Sequence, residues 1–202
     1  MTTPDLSALI LDFGGVLSYS QPENWYRLTA APLGVAADAF RAAYWEHRHA
    51  YDAGLPATEY WRRVHATLGR PCGLVEPLIQ SDVASWTEFR EDVWTLARDF
   101  RRRGGRTGFL SNGVPEAMAR IRATRPLEPW FDAVVVSCEV GVTKPDPRIF
   151  AMCLSRLGVS PERALFVDDR ADNIEAAARL GMKTLHFHGD DAVARLSARL
   201  AS

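Results

Sequence analysis

Four short polar clusters carry the side chains best suited to chemistry: Asp12-Phe13-Gly14-Gly15, Ser111-Asn112-Gly113, Lys144-Pro145-Asp146, and Asp168-Asp169 followed by Asp172-Asn173. The pair Asp168-Asp169 is the most telling, because adjacent carboxylates repel unless a cation joins them. Their hard oxygens suit Mg²⁺, which keeps several waters and binds phosphate oxygens. A phosphoryl group is crowded with negative charge, so a carboxylate attacks it only when cations and hydrogen-bond donors neutralise its oxygens. The other clusters offer groups of that kind. Each cluster also has a plainer reading on its own. Asp12 reads as a turn residue, Ser111-Asn112-Gly113 as a turn with a helix cap, Lys144 as a solvated loop residue and Asp172 as a helix cap.

The elements that must position these residues show in the apolar pattern. Residues 9–11 form a continuous apolar run that stops at Asp12 and Gly14-Gly15, the pattern of a strand buried on both faces and ending in a tight turn. The same pattern recurs at 108–110 before Ser111, at 133–136 before Ser137, and at 164–167 before Asp168. Phe89, Val93, Leu96, Ala97 and Phe100 recur on one helical face that ends at Gly104-Gly105. Pro115 suits a helix start, and helices over 149–157 and 174–180 are closed by Gly158 and Gly181. The alternation predicts an α/β fold, a Rossmann-like three-layer core with a parallel sheet, and ligands beyond the carboxyl ends of its strands.

Residues 18–86 lack a convincing strand but carry helical stretches around 36–51 and 57–68. They are read as a small helical cap inserted into a core made of residues 1–17 and 87–202. Trp25, Tyr26, Tyr44, Trp45, Tyr60 and Trp61 lie in this segment, at helical spacings that favour packing over the lining of a pocket.

With 202 residues, 47% of them hydrophobic, the chain can bury one sizeable core. Twenty-four basic side chains against 25 acidic ones give a net charge of -1, which supplies no field to attract a nucleic acid. Cys72, Cys138 and Cys153 have no paired spacing, which argues against a disulfide framework and for a reducing cytoplasm. Residues 1–5 show no leader pattern, and no apolar run is long enough to span a bilayer. A small-molecule partner is expected, with neither nucleic acid nor membrane.

In their order, the four clusters resemble the four motifs of the haloacid dehalogenase-like hydrolase superfamily, over about residues 9–187 and with the cap placed as in the small-cap branch. The resemblance implies that Asp12 is the nucleophile and forms an aspartyl-phosphate that water later opens. It implies phosphate binding by Ser111, Asn112 and Lys144, with Lys144 also set against Asp12. It further implies Mg²⁺ held by Asp12, the backbone carbonyl of Gly14, Asp168 and Asp169, of which Asp169 is the first choice of direct ligand. Asp172 and Asn173 would orient this shell.

One departure stands out. Phosphatases of the superfamily usually carry a second aspartate two residues after the nucleophile, as general acid and base, and here that position is Gly14. Losing such a group costs about 10² to 10⁴ in rate. The favoured reading is a Mg²⁺-dependent phosphatase of a small phosphorylated metabolite with a good leaving group, such as a sugar 1-phosphate. Residues 144–181 are similar to bacterial sugar-phosphate phosphatases in which glycine also stands at this place. The alternatives are a 2-haloacid dehalogenase, which normally lacks the acidic pair, and a non-catalytic phospholigand-binding protein.

Other signals are weaker. Asp12-Phe13-Gly14 copies the kinase metal tripeptide without the accompanying kinase motifs. His47/His49 and His186/His188 stand two residues apart, too divergent on a helix to share a metal. Arg27, Arg41, His47 and Arg48 are cap candidates for meeting an anionic substrate.

Overall fold

Successive side chains of β1 (Ala8–Leu11) point to opposite faces of the sheet: Leu9 and Leu11 enter one hydrophobic cluster, Ala8 and Ile10 another. A strand covered on both faces must be apolar at every position, which is why this segment shows no alternation. The computed structural model describes residues 6–73 and 75–201; the leader-free reading of residues 1–5 falls outside them. Beside β1 lie β2 (Arg106–Ser111), β3 (Ala133–Val136), β4 (Ala164–Asp168) and β5 (Lys183–His186), in the order β3-β2-β1-β4-β5. All four pairings are parallel.

Between β1 and β2 come α1 (Glu23–Ala30), α2 (Ala37–Asp52), α3 (Ala57–Thr67), α4 (Glu76–Ser85) and α5 (Glu91–Arg102). Then follow α6 (Pro115–Thr124), α7 (Ser137–Val140), α8 (Pro147–Leu157), α9 (Ala171–Arg179) and α10 (Ala192–Ala201). Val93, Trp94, Ala97 and Phe100 of α5 pack with Leu196 and Leu200 of α10 against one sheet face. Ile149, Phe150, Cys153 and Leu157 of α8, with Ala176 and Ala177 of α9, cover the other. The result is the expected three-layer α/β core.

β5 has no counterpart in the sequence reading. It is an edge strand, and of its residues only Leu185 is fully buried, so Lys-Thr-Leu-His never presents a continuous apolar run.

Helices α1 to α4 build a third cluster, centred on Phe40, Tyr44, Tyr60 and Trp61, that reaches α6 through Val114 and Ala117. Five of the six aromatics named from the sequence are buried there, whereas Trp45 stays 41% exposed. The two connections between these helices and the sheet run side by side: Tyr19 N–H donates to the Glu88 carbonyl at 2.9 Å, and Arg90 N–H to the Leu17 carbonyl at 2.9 Å. Among the described residues no helix is long and apolar enough to cross a membrane.

Trp94 ties the chain after β1 to α5, since its fully buried indole N–H donates to the Leu17 carbonyl at 2.9 Å. Trp94→Ala is expected to cost about 3–5 kcal/mol through the cavity it leaves and to lower the urea midpoint accordingly. A loss below about 1 kcal/mol, typical of a surface change, would contradict this packing.

Candidate active site

Parallel strands in register end together, and this brings three chemical residues to one edge. Leu11 pairs with Phe109 of β2 and with Val167 of β4, so Asp12 emerges between Ser111 and Asp168. Its N–H is held by the Val167 carbonyl at 3.0 Å. Lys144 enters from the loop between α7 and α8. Its Nζ lies 2.8 Å from Asp12 Oδ1 and 2.7 Å from Asp168 Oδ2, and it donates to the Leu110 carbonyl at 2.9 Å. Three acceptors for three ammonium protons fix the side chain completely.

Asn112, which lines the same cavity, engages the main chain of Lys144. Its Nδ2 donates to the Lys144 carbonyl at 3.0 Å, and its Oδ1 accepts from the Lys144 N–H at 2.8 Å. Both ends of the amide are used to clamp the lysine's main chain. Ser111, almost fully buried, makes only a long 3.4 Å contact from its hydroxyl to the Asn112 carbonyl, which leaves its proton available.

The two adjacent aspartates differ sharply. Asp168 Oδ1 accepts from the Arg170 N–H at 2.9 Å and from Asn173 Nδ2 at 3.0 Å, while its Oδ2 takes Lys144 and Asn173. Asn173 thus orients Asp168, and Asp168 orients Lys144. Asp169 has no ion-pair partner among the described residues, and its backbone carbonyl accepts from His186 Nε2 at 2.9 Å. His186 therefore braces the aspartate loop. Asp172 is not one of the three clustered carboxylates: exposed on the rim of the same cavity, it pairs with Arg170 at 2.9 Å and accepts from the Asn173 N–H at 3.0 Å at the start of α9. It is not the cap of α9, whose N-cap is Arg170 with no side-chain cap bond; it is an acidic residue of the first turn.

Gly15 is required twice over. Its φ is +75°, and a Cβ there would stand 2.5 Å from Asp169 Oδ2, so a side chain would both strain the backbone and displace the carboxylate. Asp12, Gly14, Ser111, Lys144 and Asp169 face a cavity of about 660 Å³ that is also lined by Tyr26, Trp45 and Trp86 of the helical segment between β1 and α5.

Ligand oxygens of Asp12, Asp168 and Asp169 come within 4.8 Å of one another. Burial lifts the Asp12 carboxyl from 3.8 to about 8, Lys144 opposes the rise, and Asp168 and Asp169 add to it. Burial and then Asp168 lift Asp169 from 3.8 to about 6. Burial works against the Lys144 ammonium, but Asp12 and Asp168 outweigh it and raise its pKa. Once all three carboxylates ionise, one ammonium leaves two negative charges uncompensated. An all-oxygen donor set with that deficit fits a hard divalent cation such as Mg²⁺.

The cap arginines are more committed than their sequence suggests. Arg48 is buried, bonded to Asp52 at 2.9 Å, to the Tyr44 hydroxyl, and paired with Asp82 at 3.4 Å. Arg41 pairs with Glu23 and lies over the Tyr26 ring at 4.3 Å. His47 bonds Thr67 at 2.9 Å, and Arg27 is exposed away from the cavity lining. Trp86, by contrast, was not singled out as a site residue. No local pattern links it to Asp12; only the fold brings it to the same cavity.

The family described as haloacid dehalogenase-like hydrolase matches residues 6–181. A phosphatase of Mycobacterium tuberculosis is 29% identical over 187 residues, covering 88% of this chain and 85% of that one. The phosphoserine phosphatase of Thermus thermophilus is 42% identical over 80 residues, 40% of this chain; the match spans 32% of that relative's length. Among solved structures, a HAD-family enzyme of Bacteroides thetaiotaomicron superposes with a TM-score of 0.79 at 18% identity, covering 95% of this chain and 98% of its own. The same enzyme has been solved with magnesium and inorganic phosphate, with a TM-score of 0.69 at 19% identity, covering 89% of this chain and 92% of that one.

The raised carboxyl pKa values set the pH dependence of cation binding. A carboxyl whose folded pKa lies above its ordinary value stabilises the fold while protonated, and that contribution fades as pH rises through about 6 for Asp169 and about 8 for Asp12. A cation offsets the repulsion above those values and competes with protons below them. At a hundredfold excess over Kd, Mg²⁺ is expected to add about 2.7 kcal/mol, roughly 5–10 °C in melting temperature at pH 8. The gain should vanish toward pH 5 and in Asp169→Asn. An equal rise at both pH values, or one that survives Asp169→Asn, would refute the site.

Proposed function

This chain belongs to the haloacid dehalogenase-like hydrolase family, and from that premise we propose that it is a Mg²⁺-dependent phosphatase of a small phosphorylated metabolite, a sugar phosphate among the candidates. The observation that carries the reading is the contact of Lys144 Nζ with Asp12 Oδ1 at 2.8 Å, beside Asp169, which has no ion-pair partner among the described residues, and a buried Ser111 hydroxyl on one cavity. A cavity of about 660 Å³ is the size of a metabolite site. Phosphatases among the relatives support the same chemistry. The free thiols of Cys72, Cys138 and Cys153 suit a reducing cytoplasm.

In this mechanism Asp12 attacks phosphorus and carries the phosphoryl group as an aspartyl ester, which water then opens. Lys144 favours the ionised form of the attacking carboxylate against burial and aims it, and Asn112 and Asp168 keep Lys144 in place. Ser111 donates its hydroxyl to a phosphoryl oxygen. Asp169 and Asp12, with the Gly14 carbonyl, would hold Mg²⁺, whose role is to neutralise phosphoryl oxygens. The acidic pair weighs against a dehalogenase, since a neutral carbon electrophile needs no cation.

A panel of phosphorylated metabolites with Mg²⁺ tests the assignment. Phosphate release is expected from at least one compound and should fall by about 10³-fold or more in Asp12→Asn. Turnover that persists in Asp12→Asn would exclude this nucleophile. Saturable binding without turnover in the unaltered protein would favour the non-catalytic alternative.

A further inference from the structure

Gly14 has φ -64° and ψ 128°, a conformation open to every residue. Backbone geometry therefore gives no reason for glycine here. The neighbour does: a Cβ on residue 14 would lie 3.0 Å from Trp86 Cζ3 and 3.4 Å from Cε3. Trp86 is the first residue past α4, where the chain leaves the cap, and it rests partly buried against the core cluster. The Arg48 guanidinium stands 5.8 Å from its ring and is itself locked by Asp52 and Asp82. An indole braced by the core and backed by an immobile arginine cannot make room cheaply for a longer side chain. Both residues face the cavity that holds Asp12.

We propose that Trp86 occupies the space a proton-donating side chain at position 14 would need, and that it selects phosphate monoesters with a ring-bearing, weakly basic leaving group. This rests on Asp12 as the nucleophile. An indole offers stacking and a single N–H but no exchangeable acid. The new P–O bond to Asp12 forms as the ester P–O bond breaks, and the leaving oxygen departs with the electron pair, taking a proton from water afterwards. Water then attacks phosphorus and the bond to Asp12 breaks, returning its electron pair to the carboxylate. Hydrogen phosphate leaves and one proton passes to solvent. A leaving group that departs unprotonated must be a weak base, and one that touches the indole gains from a flat face.

The test compares p-nitrophenyl, phenyl and ethyl phosphate with Mg²⁺ in the unaltered protein, Gly14→Asp, Trp86→Ala, the double variant and His49→Gln. The unaltered protein should lose kcat/KM steeply as the leaving group becomes more basic. Trp86→Ala should raise KM for the aryl esters but not for ethyl phosphate. Gly14→Asp alone should lower the melting temperature, and adding Trp86→Ala should restore it, a coupling that reports the collision directly. The double variant should exceed Trp86→Ala on ethyl phosphate, by up to about 10² to 10⁴ as a general acid is gained.

Equal rates on ethyl and p-nitrophenyl phosphate would overturn the proposal, as would a Gly14→Asp protein as stable as the original. His49 lines the same cavity; a steep profile appearing only in His49→Gln would place the proton donor there and also overturn it. If neither these esters nor any compound of the metabolite panel is turned over, the phosphatase reading fails and takes this one with it; turnover of metabolites but of neither aryl ester overturns this one alone. Turnover abolished by Asp12→Asn keeps the phosphatase reading and leaves the leaving-group profile to decide this one.

Discussion

The Lys144 ammonium is buried to 3% exposure, where dehydration alone would strip its proton. It remains charged because Asp12 and Asp168 each come within 2.8 Å and the Leu110 carbonyl takes its third proton. Most of the catalytic edge follows from keeping that charge in place. Asn112 gives both ends of its amide to the lysine's main chain, and Asn173 holds Asp168 at the angle the ammonium requires. Removing one member of such a buried set leaves an uncompensated charge, which costs more than the pair contributes when intact.

The same arrangement is incomplete as an electrostatic system. One ammonium cannot balance three carboxylates, and this repulsion adds to burial, the larger cause, in making Asp12 and Asp169 hold protons more tightly than exposed aspartates. That stored repulsion is what a divalent cation relieves, and it gives the cluster a reason to bind one that does not depend on which substrate follows. Gly15 belongs to the same design, because only a residue without Cβ lets the turn after Asp12 pass this close to Asp169.

The cap contributes by a different route. Arg48, which lines the cavity, is neutralised by Asp52 and Asp82 and tied to Tyr44, so it joins α2 to α4. The cap's Trp86 stands over Gly14. The cap thus offers Asp12 an apolar wall where a carboxyl group would otherwise fit. A local choice that looks like a loss in the chain, glycine at a position open to any residue, is consistent with what surrounds it.

Sequence alone was enough for much of this. The strands that carry Asp12, Ser111 and Asp168 were readable because strands buried on both faces must be apolar throughout and stop where polar residues begin. Helix periodicity likewise located α2, α3, α5 and α8. The edge strand β5 was not readable, since three of its four residues are only partly buried and no apolar run marks it. Nor was the division of labour among polar residues: Asn112 bound to a main chain, Asp172 turned to solvent, Arg48 spent on two carboxylates, and Trp86 set against Gly14. Periodicity reports which face of an element is covered, a property of near neighbours in the chain. Which partner consumes a given hydrogen bond or charge depends on contacts across the fold, and only the tertiary structure decides that.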